Sequence, residues 1–232
     1  MKSIIALKEI SAIVLSLKAA FFCSIIAFPI SLFIGWILAR KDFIGKTILD
    51  SFVHIPIVIP PVTVGYILLC LFGSNGPLGR ILFNVFGLRI AFSFYAVILA
   101  SFVVATPLFI RSIRIAIEMV DIKYEEASFT LGKNSLLTFF KVTLPLSLPG
   151  IISGFILSFA RSLGEFGATM VIAGNIEGKT QTLPLAIYSL MQIPGGEVAA
   201  FRLAFFSVLI SIGALTCSRI FEKRLKRKIN GT

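Results

Sequence analysis

The chain has 232 residues, of which 57% are hydrophobic and only 14% charged, and its formal net charge is +11. Soluble domains carry about 25% charged residues, and a chain of this size leaves roughly 25–30% of its surface uncovered on folding, so these few charges would leave large apolar patches in water. The same composition excludes a disordered chain and points to an integral membrane protein.

A spanning helix needs about 20 mainly apolar residues. Runs free of Asp, Glu, Lys and Arg cover 19–39, 51–79, 90–110, 142–160 and 203–218, the last extended by 199–201. They predict five spans in one all-α membrane domain, over about 12–39, 49–73, 90–111, 146–173 and 199–219. Buried helices of soluble proteins fit runs of about 10–14 residues, and strands of a transmembrane barrel would alternate in polarity. A sixth run, 180–196, holds Pro184, Pro194 and Gly195-Gly196. It predicts only a short surface helix over 183–191. Lys8, Glu9 and Lys18 break up the first 20 residues and no small-x-small cleavage site follows, so the first segment is expected to be retained as a span.

The basic residues set the orientation. Fourteen lie in segments after spans one, three and five, from Arg40 and Lys41 to Lys228, against seven on the other side. The bias predicts an outer N-terminus and a cytoplasmic C-terminus, with the tail over 222–228 anchoring at anionic lipid. The tail is short and has no aromatic stacking partners, which argues against nucleic acid. Cys23, Cys70 and Cys217 are far apart and His54 is the only histidine, so the sequence suggests neither a disulfide framework, nor a zinc site, nor a Ser-His-Asp triad.

Between spans three and four runs the longest cytoplasmic loop, 120–145. Its first part reads as a short amphipathic helix, with Gly132 placed for a left-handed C-terminal cap. A second short helix follows, with Leu136, Leu137, Phe139 and Phe140 as its apolar side, and Pro145 and Pro149 mark the start of span four. Such a helix–Gly–helix is either an ordinary interfacial loop or a knob for a groove on another protein. In the second case Ala127 allows close approach, and Glu125 and Glu126 supply charge for register.

Glu126-Ala127, then Gly132 five residues on, then Val142-Thr143-Leu144-Pro145 resembles the EAA–G–I-x-LP signature of the permease subunits of bacterial ABC importers. Ser128 replaces the second Ala of that signature and Val142 its Ile. Residues 54–65, 159–169, 175–180 and 187–197 are similar to the branch of that family that imports molybdate; sulfate permeases are similar through 161–168 but less so after Lys179. The resemblance covers nearly the whole chain and implies a type I importer permease fold with the N-terminus outside. It also implies docking of the loop into a cytoplasmic ATPase through Glu125, Glu126, Ala127, Gly132, Leu144 and Pro145. A second copy of the chain would complete a homodimer around the path, and a binding protein outside would deliver the oxyanion. ATP and Mg would sit on the partner ATPase, leaving this chain without cofactor, metal or catalytic residue. The alternatives are a sulfate or tungstate importer, a secondary transporter without an ATPase, or a membrane scaffold.

A phosphate loop needs G-x-x-x-x-G-K-[ST]. Gly45-Lys46-Thr47 has Arg40, and Gly178-Lys179-Thr180 has Ala173, where the first Gly belongs. Any ATP coupling must therefore come from a partner. Arg161 and Glu165 are four apart in span four and are expected on one helix face. Arg161 lies 12 residues beyond Pro149, about 18 Å along a helix axis. A lone charge at that depth costs about 2.5–3.5 kcal/mol. The pair, with Ser162, either lines the anion route or clamps two subunits together, and Gly164 and Gly167 permit close helix contact. Pro56, Pro60 and Pro61 must kink or break span two, with Thr63, Ser101, Thr106 and Pro107 as further path candidates. The Met and Phe residues of the spans read as packing or lipid contacts.

Overall fold

In a computed structural model the backbone is described over residues 2–230 and the side chains over 8–221 and 223–224. The basic tail expected to anchor at lipid thus lies largely outside the described side chains. All the regular elements among the described residues are helices. Helix α1 (Lys2–Arg40) is the first span; α2 (Lys46–Val58) and α3 (Pro61–Phe72) follow, then the short α4 (Pro77–Phe86) and the long α5 (Phe94–Glu118). Next come α6 (Ile122–Thr130), α7 (Ser135–Thr138), a π-helical turn (Phe139–Thr143), α8 (Leu144–Leu163), α9 (Gly167–Ile172), α10 (Leu183–Met191) and α11 (Glu197–Asn230).

Among the described residues four helices are long and apolar enough to cross a membrane, and the count rises to five if α2 and α3, bent by 108° at their break, are taken as one span. The prolines account for that bend. Pro60 is extended (φ −55°, ψ 136°) and Pro61 opens α3, where its missing N–H costs nothing. Pro56 stays inside α2. Span two is therefore two helices at a sharp angle.

Helix α5 is the central element. Its small residues Ala96, Ala100, Ala105 and Ala116 are buried, and glycines on its neighbours let backbones close in. A Cβ on Gly35 of α1 would stand 2.8 Å from Ile113, and one on Gly150 of α8 2.5 Å from Ala116. One core cluster joins α1, α3, α5 and α9 through Ala19, Val64, Ala100 and Ile172. A second joins α1, α5 and α8 through Ala27, Phe109, Ile113 and Ile151. At the other end of α1, Ala12 packs on Leu183, Ala186 and Leu203. So α10, expected as a short helix at the membrane surface, keeps its bounds and packs against α1 and α11. Its first amide, Leu183 N, donates to Ser16 Oγ at 2.7 Å, and a bidentate Glu9–Arg202 pair ties α1 to α11 nearby. Most of α11 stays uncovered, with Phe201, Phe205, Val208 and Ile212 exposed, as suits lipid or another subunit.

Candidate functional site

The loop between α5 and α8 is built from local caps. Asp121 accepts from Lys123 N at 3.0 Å to start α6, and Asn134 accepts from Leu137 N at 2.9 Å to start α7. Between them Gly132 takes φ +77° with nothing within 4 Å of where a Cβ would stand. The requirement for glycine there is conformational, not steric. The Lys133 amide closes the turn on Ser128 O at 3.2 Å, and the buried Ser128 and Thr138 hydroxyls meet at 2.9 Å, joining the two short helices.

Pro145 does not begin a separate helix. The second loop helix runs on through the π-turn into α8, so residues 135–163 form one unbroken helix. The wider turn explains this. Leu144 N donates five residues back to Phe139 O, which removes the clash a proline would otherwise make with the preceding turn.

The loop presents two faces. Glu126, Ala127, Gly132 and Pro145 are exposed, as are Tyr124, Phe129, Leu131, Leu136, Leu137 and Phe140; Leu144 is half-buried. Glu125 points the other way. Its Oε1 accepts from Arg40 Nε at 2.9 Å and from Thr143 Oγ1 at 2.8 Å, and its side chain is 12% exposed. Its charge is spent inside the chain, while Glu126 next to it is exposed. Neither Arg40 nor Thr143 stood out in the sequence. Arg40 is merely the first charge after a long apolar run, and Thr143 sits at the variable position of the signature. In the segment between α1 and α2, Lys46 donates to Asp42 at 2.8 Å and holds its carboxyl below the ordinary carboxylate range.

The second site is a break within the stretch expected as span four. Helix α8 stops at Leu163, and Gly164, Glu165 and Phe166 are non-helical before α9 begins. The expectation that Arg161 and Glu165 share one helix face is thus corrected: the pair forms, at 3.0 Å, but Glu165 lies beyond the helix end. Its other oxygen accepts from Ala168 N at 2.9 Å, so the carboxylate caps α9 as well as neutralising Arg161. Glu165 is 3% exposed, whereas the Arg161 side chain is 32% exposed.

This break meets the one in span two. A Cβ on Gly167 would stand 2.9 Å from Pro61 Cβ, and one on Gly65 2.7 Å from Ala168 O. Pro60, Pro61 and Thr63 are exposed at the start of α3 beside it. Ser162 is turned inward, donating to Ser158 O at 3.0 Å with Cys23 Sγ at 3.2 Å. Ser101, Thr106 and Pro107 are buried in helix packing, with Thr106 donating to Phe102 O, so they face no path in this arrangement.

A third polar group was not foreseen. Arg114 on α5 bonds Asp50 of α2 at 2.9 Å and Glu118 at 2.8 Å, and Asp50, His54, Arg111 and Arg114 line an open cavity of about 430 Å³. Asp50 and Arg114 are 64 residues apart, and nothing in the local pattern links them.

Residues 31–227 match the family described as binding-protein-dependent transport system inner membrane component. The molybdenum transport system permease protein ModB of Haemophilus influenzae is 48% identical over 221 residues, covering 95% of this chain and 96% of that one. ModB of Escherichia coli is 46% identical over 223 residues, covering 94% and 97%. Among solved structures, the inward-facing MetNI methionine ABC transporter aligns over 95% of this chain and 99% of that one, with a TM-score of 0.69 at 18% identity, a likeness of fold. With the family match spanning most of the chain and near-full-length relatives close to half identical, the chain belongs to the binding-protein-dependent transport system inner membrane components, as a multi-pass permease.

Proposed function

We propose that this chain is the permease subunit of an ATP-driven molybdate importer. The observation that carries the reading is the near-full-length identity to molybdenum permeases, 48% over 221 residues. The geometry supports the division of labour. The loop over 120–145 offers a rigid, partly apolar face with Glu126 and Ala127 outward, suited to a groove on a cytoplasmic ATPase. ATP and Mg belong to that partner, and a binding protein outside delivers the cargo.

Two copies of the chain enclose the path. Broken helices in transporters border substrate routes where unwound backbone lines a cavity, and here two breaks meet at Gly167 and Pro61. Paired with Arg161 and bonded to Ala168 N, Glu165 adds no net negative charge at the break, and the Arg161 side chain is partly exposed there. ATP-driven closure of the ATPases draws the two loops together and turns the path from inward- to outward-facing. The test is co-purification from gently solubilised membranes, followed by uptake of labelled molybdate in cells lacking their own permease. Recovery of an ATPase and restored uptake support the reading; a permease that restores uptake without any ATPase overturns it.

A further inference from the structure

We infer that Arg40 and Thr143 are positioning residues that lock the docking loop to the inner ends of three membrane helices, so that loop and spans move as one body. The inference rests on the reading of the loop as the ATPase dock.

One carboxylate gathers the ends. Arg40, the last residue of α1, donates from Nε to Glu125 Oε1 at 2.9 Å and from a terminal nitrogen to Val120 O at 2.7 Å. Val120 lies just past the C-terminal end of α5, where helix carbonyls lack partners. Thr143, at the junction of the π-turn with α8, donates to the same Glu125 oxygen at 2.8 Å. So α1, α5 and α8 are each bonded, directly or through Arg40, to a single side chain of α6. The ion pair is shielded, with 10% and 12% of its side chains exposed, and Thr143 is 1% exposed. Charge-assisted bonds out of water are short and strong, with a fixed direction.

The surroundings brace the same joint. Trp36 of α1 meets Phe139 of the π-turn edge-on at 5.7 Å, and Lys41 covers Trp36 at 5.5 Å. Within the loop, the Ser128–Thr138 hydroxyl contact prevents the two short helices from sliding apart. Glu125 and Glu126 are neighbours with opposite duties: one faces out, the other is bolted inward. Displacement of the outer face therefore reaches α1 and α8 through Arg40 and Thr143. Without those bonds α6 is free to pivot at its two ends, Asp121 and Gly132.

The test uses the assembled complex of permease, ATPase and binding protein in proteoliposomes, reading molybdate transported per ATP hydrolysed. Arg40→Met and Thr143→Val should keep the ATPase bound and hydrolysing ATP, while transport per ATP falls roughly three- to tenfold, the scale of coupling carried by such networks. Thr143→Ser, which keeps the donor, should restore the ratio. An unchanged ratio in both Arg40→Met and Thr143→Val overturns the inference, as does a loss of hydrolysis and uptake in equal proportion. Failure of the unaltered permease to recover an ATPase would instead sink the docking assignment, so the two failures are told apart.

Discussion

Glu165 stands 3.0 Å from the Arg161 guanidinium while residing outside the helix that carries Arg161. The arrangement resolves two costs at once. The arginine, in the last turn of α8, gains a counter-ion, and the first turn of α9 gains an acceptor for Ala168 N. A charged pair that also closes a helix break fixes the geometry of that break, and through Gly167 and Pro61 it fixes span two against span four.

Removing one partner should therefore hurt more than removing both. Glu165→Ala leaves Arg161 unpaired and is expected to cost about 3 kcal/mol, the lower end for a broken buried pair, because Arg161 is partly exposed. Glu165→Gln should fall between, since it still accepts from Ala168, and Arg161→Met with Glu165→Gln should recover most of the loss. Thermal unfolding of the detergent-solubilised protein reads the order of the three.

The glycines at the crossing of the two breaks tolerate no side chain. Gly65→Val and Gly167→Val push a Cβ within 2.7 and 2.9 Å of neighbouring atoms and should cost about 1–3 kcal/mol or more in overpacking. Gly213→Val, with nothing within 4 Å, should be neutral. The yield of monodisperse protein from membranes compares the three.

Gly132 is a different case, because its surroundings are empty and only its φ of +77° matters. Gly132→Val should strain the loop by about 1–3 kcal/mol without disturbing insertion. Uptake should drop while membrane content holds, and Gly132→Asn, which tolerates the left-handed region, should keep most of it. Glu126→Lys should likewise insert normally and lose ATPase recovery. Normal uptake by both Gly132→Val and Glu126→Lys would remove the docking role from this loop.

The count of fourteen basic residues against seven predicts an outer N-terminus and a cytoplasmic C-terminus. In a chain with its exposed Cys70 and Cys217 and buried Cys23 replaced by Ser, a membrane-impermeant thiol reagent should label Gly178→Cys in intact cells and Asn134→Cys only after permeabilisation. The reverse pattern would invert the topology.

Much of this was legible because the signals are local. The runs between charges located the long apolar helices, Pro60 and Pro61 marked the break between α2 and α3, and Gly132 marked the left-handed turn. The rest depended on geometry that sequence spacing misstates. Arg161 and Glu165 are four apart, as helix neighbours are, yet a helix end falls between them, and their pairing survives because the chain turns back at Gly164. Pro145 looked like a helix start, but a π-turn absorbed it. Glu125 looked equivalent to Glu126, and only the approach of Arg40, 85 residues away, distinguishes them. Pairs such as Glu9–Arg202 and Asp50–Arg114 depend on which helices pack together, which no local pattern encodes.

As proposed above, this permease moves molybdate only under the drive of a partner ATPase. Proteoliposomes holding the permease with its ATPase, supplied with binding protein and labelled molybdate, test it most directly. Accumulation should require ATP, the ATPase and the binding protein together, and should persist in excess sulfate. Accumulation by the permease alone, driven by an ion gradient and indifferent to ATP, would contradict it.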